Sequence, residues 1–354
     1  TTINKSTDYF NTKLYTGSNS VRTETGVGFQ PDWVWIKDRT QSGHNHNLID
    51  AVRAAPNILM SDSTAGQITD STDGLTAFTS DGFSLGANTT GTQSQELNKN
   101  GNTYVAWNWK ANGAGSANTD GYISSTVSVN TTAGFSIVKY TGDTVSGRTI
   151  GHGLNAVPKM IMVKGTDSNS SPDNWCVYHV NLGNTRRTIL NSSGNYSTGS
   201  GYWNDTSPTN QVFTIGNSSE TNSSNGVYIA YCFAEKKGYS KIGGFTGNGN
   251  TDGPFIYTGF KPAFFLMKEV TDTGTNWVMY DNKRNTGNAV DKVIYPNLSN
   301  NEGTGLDFDF LSNGIKCRNN NGGINGSGNN YIYLAFAEEP LVANVGGSIP
   351  ATAR

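Results

Sequence analysis

The chain carries one short segment three times, and each occurrence is entered by a glycine and a proline. The segments read GFQPDWVWIKD from Gly28, GLNAVPKMIMVKG from Gly153 and GFKPAFFLMKE from Gly259. A lysine follows each proline by six residues, which gives the pairs Pro31 and Lys37, Pro158 and Lys164, and Pro262 and Lys268. Internal similarity on this scale predicts a repeat architecture, so the chain is expected to fold as several similar units.

Two further markers keep their order and distance around each segment. A run ending in Thr-Gly precedes the segment, and a strand that begins with tyrosine closes the unit. The closing tyrosine lies 73, 70 and 69 residues after the proline in the three occurrences. We interpret the Gly- and Ser-rich stretch between the first two units as a linker, and the two ends of the chain as arms. The predicted boundaries are 1–7 for the N-terminal arm, 8–112 for copy one, 113–120 for the linker, 121–238 for copy two, 239–340 for copy three and 341–354 for the C-terminal arm.

The composition favours strands over helices. The 354 residues include 43 glycines, and only 15% of them are charged while 11% are aromatic. Gly, Asn, Thr and aromatic residues suit tight turns and pleated strands, so the predicted fold class is all-β. Each copy is expected to form a jelly-roll-like β-sandwich of six or seven short strands. The one helix candidate is the stretch NLIDAVRAA at 47–55.

The proline-entered strands are apolar on both faces. Proline cannot donate to a strand ladder, so it is predicted to stand at the start of each strand. Beyond the first proline, Trp33, Trp35 and Lys37 share one face while Val34 and Ile36 take the other. A partner sheet within the sandwich covers only one of these faces. The second face must be covered by long loops, by another copy or by a partner molecule. Of these we predict the other copies, with the three units packed around a pseudo-threefold axis.

The sequence predicts no catalytic residues, no metal site and no cofactor. It contains no phosphate-binding loop and no recognised nucleophile or zinc-protease motif. His44 and His46 alternate onto one face of an extended segment and are the one pair suited to clamp a metal, but ordinary turn histidines are the preferred interpretation. The formal charge of −2 argues against nucleic acid, and no apolar run reaches the roughly 20 residues of a membrane span. Neither nucleic-acid binding nor membrane insertion is expected.

The aromatic residues divide into two groups. Trp33 and Trp35 belong to a segment that recurs in every copy, so they are predicted to serve the common scaffold. Tyr196, Tyr202 and Trp203 lie in a long stretch of copy two and are the candidate surface contact residues. The alternative for these three is that they cover the core beneath them.

The repeated strings together resemble a family of proteins. The residues that carry the resemblance are LYTG, GFQPDWVWIKDR, YVAWNWK, GFSIVKYTG, PKMIMVK, YIAYCFAEKKGYSKIGGFTGNG and YIYLAFAEEP. In this order they resemble a repeat family of virion proteins from marine tailed bacteriophages, of the tail-fibre or structural type. The resemblance covers nearly the whole chain and implies no established active site.

The resemblance implies a non-enzymatic structural component of a virion, made in the host bacterial cytoplasm. The expected role is a tail-fibre or tip-type adhesin that contacts the host surface. One alternative is a capsid or tail decoration protein that bridges virion subunits through the apolar second faces or the terminal arms. Another is a carbohydrate-active sandwich, either a lectin or a glycan hydrolase. The expected partners are other virion proteins, a host-surface glycan or protein, and further copies of the chain in a symmetric assembly.

Overall fold

The computed structural model describes residues 3–89, 97–170 and 172–340, and strands dominate it. Its helices are single turns: α1 (Ser200–Trp203), α2 (Ser219–Asn222), α3 (Gly322–Asn325) and a 3-10 turn at Ser6–Asp8. The strands form antiparallel sheets stacked as sandwiches, so the predicted fold class is confirmed. The helix expected over 47–55 is wrong, because residues 47–50 are buried as a strand and a turn follows them.

Copy one consists of a large and a small sheet that face each other. Its strands are β1 (Phe10–Thr16), β2 (Arg22–Glu24), β3 (Trp33–Asp38), β4 (Asn47–Asp50), β5 (Asn57–Ile58), β6 (Ile68–Thr69), β7 (Leu75–Thr79), β8 (Gly82–Leu85) and β9 (Thr103–Trp109). The large sheet has the order β1-β9-β3-β4 and the small sheet β2-β8-β7, while β5 pairs with β6. Apolar side chains such as Val34, Phe83 and Tyr104 fill the space between the two sheets.

Copy two has the same plan with additional strands. Its strands are β10 (Ser116–Asn118), β11 (Ser125–Asn130), β12 (Phe135–Thr141), β13 (Arg148–Gly151), β14 (Met160–Gly165), β15 (Cys176–His179), β16 (Arg186–Ile189), β17 (Ser197–Thr198), β18 (Val212–Ile215) and β19 (Val227–Phe233). The large sheet has the order β10-β11-β12-β19-β14-β15-β16-β17, and β13 pairs with β18. Because β10 lies within 113–120, that stretch is not a free linker. Asp32 fixes the chain just before it by accepting the backbone N–H groups of Ala111 and Gly113.

Copy three returns to the simpler plan. Its strands are β20 (Ser240–Thr246), β21 (Phe255–Tyr257), β22 (Phe260–Glu269), β23 (Val278–Asp281), β24 (Phe308–Leu311), β25 (Gly314–Cys317) and β26 (Asn330–Pro340). The large sheet has the order β20-β26-β22-β23 and the small sheet β21-β25-β24. The large sheets of all three copies therefore share one order of four neighbouring strands. These are the opening strand, the closing strand, the proline-entered strand and the strand that follows it in the sequence.

The prolines stand near the strand starts, with one exception. Pro31 and Pro158 each lie two residues before their strands, β3 and β14. Pro262 instead lies inside β22, which begins at Phe260, and the register against β26 shifts on both sides of it. This irregularity lets the strand continue past a residue that has no N–H to donate. The prediction of a proline at the strand start is therefore wrong for copy three.

A central core joins the three copies. It contains the second faces of the three proline-entered strands and of the three closing strands. Ring centroids of Trp33 and Tyr231 lie 4.3 Å apart between copies one and two. Phe336 lies 5.1 Å from Phe10 of copy one and 6.1 Å from Phe233 of copy two. Since each copy contacts both of the others, the three copies form a closed ring. Burial of each aromatic side chain in this core contributes roughly 2–3 kcal/mol to the stability of the fold.

The N-terminal residues belong to this core rather than to an arm. The side chain of Ile3 is 2% exposed and packs in the central core, and Ser6 is fully buried. The backbone N–H of Ser6 also bonds to the carboxylate of Glu339, 3.3 Å away at the other end of the described chain. The predicted arm at 1–7 is therefore wrong for residues 3–7. The predicted arm at 341–354 lies outside the described residues.

Candidate functional site

One set of hydrogen bonds recurs at all three junctions between copies. In each copy, the residue just before the strand that follows the proline-entered strand (β4, β15 or β23) uses a ring nitrogen to bond to a backbone carbonyl of a neighbouring copy. The bonds run from Trp175 to Met60 at 2.8 Å, from Trp277 to Ile189 at 2.9 Å, and between His46 and Tyr295 at 3.0 Å. Copy two therefore bonds to copy one, copy three to copy two, and copy one to copy three, which is the closed pattern of a cyclic assembly.

His46 takes the place that tryptophan holds in the other two copies. Its Nδ1 accepts a hydrogen bond from the indole of Trp35 at 2.8 Å, so its Nε2 carries the proton that it shares with the Tyr295 carbonyl. Burial lowers the pKa of His46 well below its usual value, and the nearby charge of Lys37 lowers it further. Both ring nitrogens are engaged, so His46 is not a metal ligand. His44 instead faces Asp38, with 3.0 Å between Nδ1 and Oδ2.

A second set of junction bonds starts from the last residue of the same three strands, β4, β15 and β23. The Asp50 carboxylate accepts from the Tyr231 hydroxyl at 2.8 Å, and the Asp281 carboxylate accepts from the Trp107 indole at 3.1 Å. Copy two has His179 at this position, and its Nε2 lies 3.2 Å from the backbone carbonyl of Tyr333. Burial lowers the pKa of His179 to about 4, so the ring is neutral at physiological pH.

The three predicted scaffold lysines are buried, and two of them bond to a neighbouring copy. Lys37 donates to the Ser299 carbonyl of copy three at 3.2 Å, and Lys164 donates to the Thr64 carbonyl of copy one at 2.7 Å. Lys268 donates within its own copy, to the Glu269 carbonyl at 2.5 Å and the Thr275 hydroxyl at 3.0 Å. Burial lowers the pKa of each of the three ammonium groups to about 8.

We expect the free energy of unfolding to rise with pH between about 8 and 9.5. In this range the unfolded lysines, with an ordinary pKa near 10.5, hold more protons than the folded ones, so raising the pH favours the folded state. Each lysine contributes roughly 1–2 kcal/mol across the range. Urea titrations at several pH values measure the slope.

The variant Lys37→Met is expected to remove about a third of this slope, and a variant with methionine at Lys164 and Lys268 as well to remove nearly all of it. The exposed Lys139 provides the matched control, because Lys139→Met removes a lysine from the surface and leaves the three buried lysines in place. A slope that survives the triple replacement would show that other groups cause the pH dependence. Above pH 10 the buried tyrosines reverse the trend, since burial raises the pKa of phenols such as Tyr231.

The three predicted contact residues are not equally accessible. Trp203 is 2% exposed and packs edge-on against Tyr178 in the inner core of copy two. The prediction of a surface contact at Trp203 is therefore wrong, because α1 turns its indole inward. Tyr196 and Tyr202 are half-buried, with the guanidinium groups of Arg186 and Arg187 each 4.5 Å from their ring centroids.

Copy two carries a third stack of this kind further along its surface. Tyr122 is 70% exposed, and the guanidinium carbon of Arg148 lies 3.7 Å from its ring centroid. Arg148 also pairs with Asp143 at 2.6 Å, which fixes the guanidinium over the ring. Tyrosine and arginine are the residue types that dominate recognition surfaces, and stacking restricts their motion before a partner arrives. We name these three tyrosines with their arginines the copy-two contact surface, as candidate residues for binding a partner.

Copy three exposes two aromatic residues that the sequence prediction missed. Phe255 is 45% exposed and Tyr257 is 60% exposed, both on the outward face of β21. Judged by pairing with the neighbouring strand, Thr23 of copy one and Thr149 of copy two occupy the position of Phe255. A comparison of the copies at this position would have revealed the difference, because a scaffold requirement would place the same residue type in each copy.

A groove of about 250 Å³ lies where copy two meets copy three. Asn181 of copy two lines it together with Gly244, Thr246 and Asn330 of copy three, and no charged side chain is among the lining residues. In the ranges the structure describes, no group of three or more His, Cys, Asp and Glu side chains is placed to hold a metal ion. Nor is any helix in those ranges long and apolar enough to cross a membrane.

These features define the class of protein: three all-β sandwiches closed around a shared core, with distinct residues on the outward face of each copy. The chain belongs to the family described as a domain of unknown function, DUF7483, which matches residues 5–340 and so spans all three copies. No curated protein and no solved structure matches the chain.

Proposed function

We propose that the protein is a non-enzymatic structural component exposed on a bacteriophage virion, where it acts as an adhesin that contacts the host surface. The observation that carries the proposal is the copy-two contact surface. Its tyrosines are held by arginine stacks, and Tyr122 is largely open to solvent. The resemblance to virion proteins of tailed bacteriophages supplies the setting.

The division between interior and exterior supports the same role. The junction bonds from His46, Trp175 and Trp277 recur in all three copies, whereas the outward residues differ between copies. A closed interior keeps the body rigid while each outward face is free to acquire its own contacts. Rigid presentation lowers the entropic cost of binding, which is what an adhesin requires of its scaffold.

The decoration alternative loses the route first expected for it. The apolar second faces of the proline-entered strands, which include Trp33 and Phe264, are buried in the central core of this same chain. They are not available to bridge virion subunits. Bridging would have to use the outward faces or the predicted arm at 341–354, which lies outside the described residues.

One observation favours the lectin alternative. The groove between copies two and three is neutral, and it is lined by the amides of Asn181 and Asn330 and the hydroxyl of Thr246. Such groups donate and accept hydrogen bonds as sugar hydroxyls do. Its volume is below the ~300–1,000 Å³ of pockets for drug-sized ligands, and suits a single sugar ring.

The virion role is tested by immunogold electron microscopy of purified tailed phage particles that encode the chain. We expect label on the particle exterior, at the tail or its tip for the adhesin role. Particles free of label would contradict the virion assignment. Label confined to the capsid surface would favour decoration over host contact.

The contact surface is tested by binding of fluorescently labelled protein to host cells. Tyr122→Ala is expected to weaken binding about tenfold or more, because exposed aromatic anchors carry much of the affinity of an interface. Val21→Ala is the matched control, since this side chain of copy one is 75% exposed and lies outside the surface. Equal binding by the two variants would argue against the copy-two contact surface.

The groove between copies two and three is tested separately, by comparing the unmodified protein with the Asn181→Ala variant on a glycan array.

A further inference from the structure

Strand β21 presents the backbone of an unpaired strand edge. Among the described residues it pairs only with β25, at the end of the small sheet of copy three. Cys317 donates to the Pro254 carbonyl and Thr258 donates to the Asn313 carbonyl, each at 3.1 Å. Hydrogen-bonded positions alternate along an antiparallel pair, so the backbone groups of Phe255 and Tyr257 point away from β25.

The equivalent edge in copy two is covered by another part of the chain. Ile123 donates its N–H to the carbonyl of Thr149 at 3.0 Å and forms a parallel bridge with Ile150. Thr149 occupies the position of Phe255, as judged by the strand pairings. Copy two thus shows that this edge of the small sheet can pair with an added segment of chain. The backbone carbonyl of Thr149, which corresponds to that of Phe255, accepts one of the hydrogen bonds.

The side chains on the open edge are also unlike those of the other copies. Phe255 and Tyr257 are exposed aromatics, whereas copy one has the polar residues Thr23 and Thr25 at these positions. Exposed apolar edge strands favour pairing with another chain, and proteins usually protect such edges with charged residues. Nothing in the shared scaffold requires the aromatics, because copies one and two fold without them.

We propose that β21 pairs with β21 of a second copy of this chain, antiparallel and centred on Ile256. The pairing is self-complementary: Phe255 of each chain lies opposite Tyr257 of the other, and both positions direct their backbone groups to the open side. Two hydrogen-bonded residue pairs form, each exchanging two N–H to carbonyl bonds, together with two aromatic cross-strand pairs. The two small sheets then become one six-stranded sheet across a twofold axis.

The contact is small, so the association is weak in solution. Pairing three residues per chain buries far less than the ~1,200–2,000 Å² of a standard stable interface, which places the dissociation constant between about 1 µM and 1 mM. If two chains were held side by side on a larger assembly, their β21 strands would pair far more completely, because the pairing would then be a contact within one assembly. The inference goes beyond the proposed virion role and holds wherever the chain resides.

Sedimentation equilibrium from micromolar to millimolar concentration tests the pairing. We expect a reversible monomer–dimer equilibrium that Phe255→Lys weakens tenfold or more, because lysines then replace two of the four aromatic residues on the shared edge. Thr23→Lys makes the same change at the matching position of copy one and is expected to leave the equilibrium unchanged. A chain that stays monomeric at millimolar concentration, or a dimer that Phe255→Lys does not affect, overturns the proposal.

Disulfide trapping tests the register. A mixture of the Phe255→Cys and Tyr257→Cys chains is expected to form a cross-linked dimer on mild oxidation, because these residues face each other about 5.5 Å apart between Cα atoms. Either variant alone places its new cysteines diagonally and should cross-link poorly. Background reaction is low, since Cys176, Cys232 and Cys317 are buried and burial raises the pKa of each thiol. Equal cross-linking in all three samples contradicts the antiparallel register.

Discussion

The variant Trp33→Ala is expected to lower the free energy of unfolding by about 3–5 kcal/mol, the range for removing a buried aromatic side chain. The Trp33 side chain is 1% exposed and lies where copies one and two meet. Its ring centroid is 4.3 Å from both Trp109 of its own copy and Tyr231 of copy two, and 5.7 Å from Phe135. Alanine leaves a cavity that three packed sheets cannot close by local movement. Urea or thermal denaturation measures the loss.

The matched control is Val21→Ala, a replacement at a side chain that is 75% exposed, which should change stability by no more than about 0.5 kcal/mol. The shape of the transition is a second measurement. Because the core is common to the copies, Trp33→Ala should lower the midpoint of a single transition. Separate transitions for the copies, or a loss below about 1 kcal/mol, would show that the central core does not couple them.

The variant Asp281→Ala is also expected to lower the free energy of unfolding by about 3–5 kcal/mol, because it removes the closer of the two carboxylates that face a buried cation. The other carboxylate, Glu302, lies 3.2 Å from Nη1 of Arg284. Both side chains of the Asp281–Arg284 pair are 0% exposed, and Oδ2 lies 2.5 Å from the arginine Nε. The replacement also removes the acceptor of the Trp107 indole in copy one. The ion pair and the junction are therefore lost together. Chemical denaturation followed by tryptophan fluorescence measures both.

Two comparisons separate these contributions. In the double variant Asp281→Leu with Arg284→Met, no charge is left unpaired, so most of the stability should return. His179→Ala changes the equivalent position of copy two, where a neutral imidazole meets a backbone carbonyl, and should cost only about 1–2 kcal/mol. If Asp281→Ala costs no more than His179→Ala, the buried ion pair is not a major source of stability.

The repeat pattern predicted the architecture because the same markers appear in each copy. The double apolar faces of segments such as β3 and β14 pointed to cover on both sides, and the central core provides it. The sandwich class followed from the turn-rich composition. These predictions succeed because burial and strand alternation are local properties that the sequence displays directly.

Other features depend on contacts that no local pattern displays. His46 was assigned to a turn because nothing in its own segment shows the indole and the carbonyl that hold it. Residues 116–118 looked like a linker because short polar strands and linkers have the same composition. Trp203 looked exposed because a Gly- and Asn-rich stretch surrounds it, yet a single helical turn directs it inward. The structure of these residues is set by contacts with residues that are distant in the sequence.

The exposed aromatics of copy three become apparent when the three copies are compared with one another. Once the copies are aligned through the strand pairings of their small sheets, Phe255 stands opposite threonine in the other two copies. An internal repeat provides its own comparison set, since residues shared by the copies serve the scaffold and residues that differ serve the surface. The strand alignment needed for this comparison, however, required the register of the small sheets.

The meeting of the two chain ends affects how the protein is made. The N–H of Ser6 bonds to Glu339, a separation of 333 residues, and Phe10 stacks on Phe336. A ribosome must therefore synthesise the chain as far as the closing strand of copy three before β1 finds Phe336. Until then the aromatic side chains of copies one and two that pack against copy three remain uncovered in the nascent chain, which makes slow maturation and a need for chaperone protection the expected consequence of closing the ring.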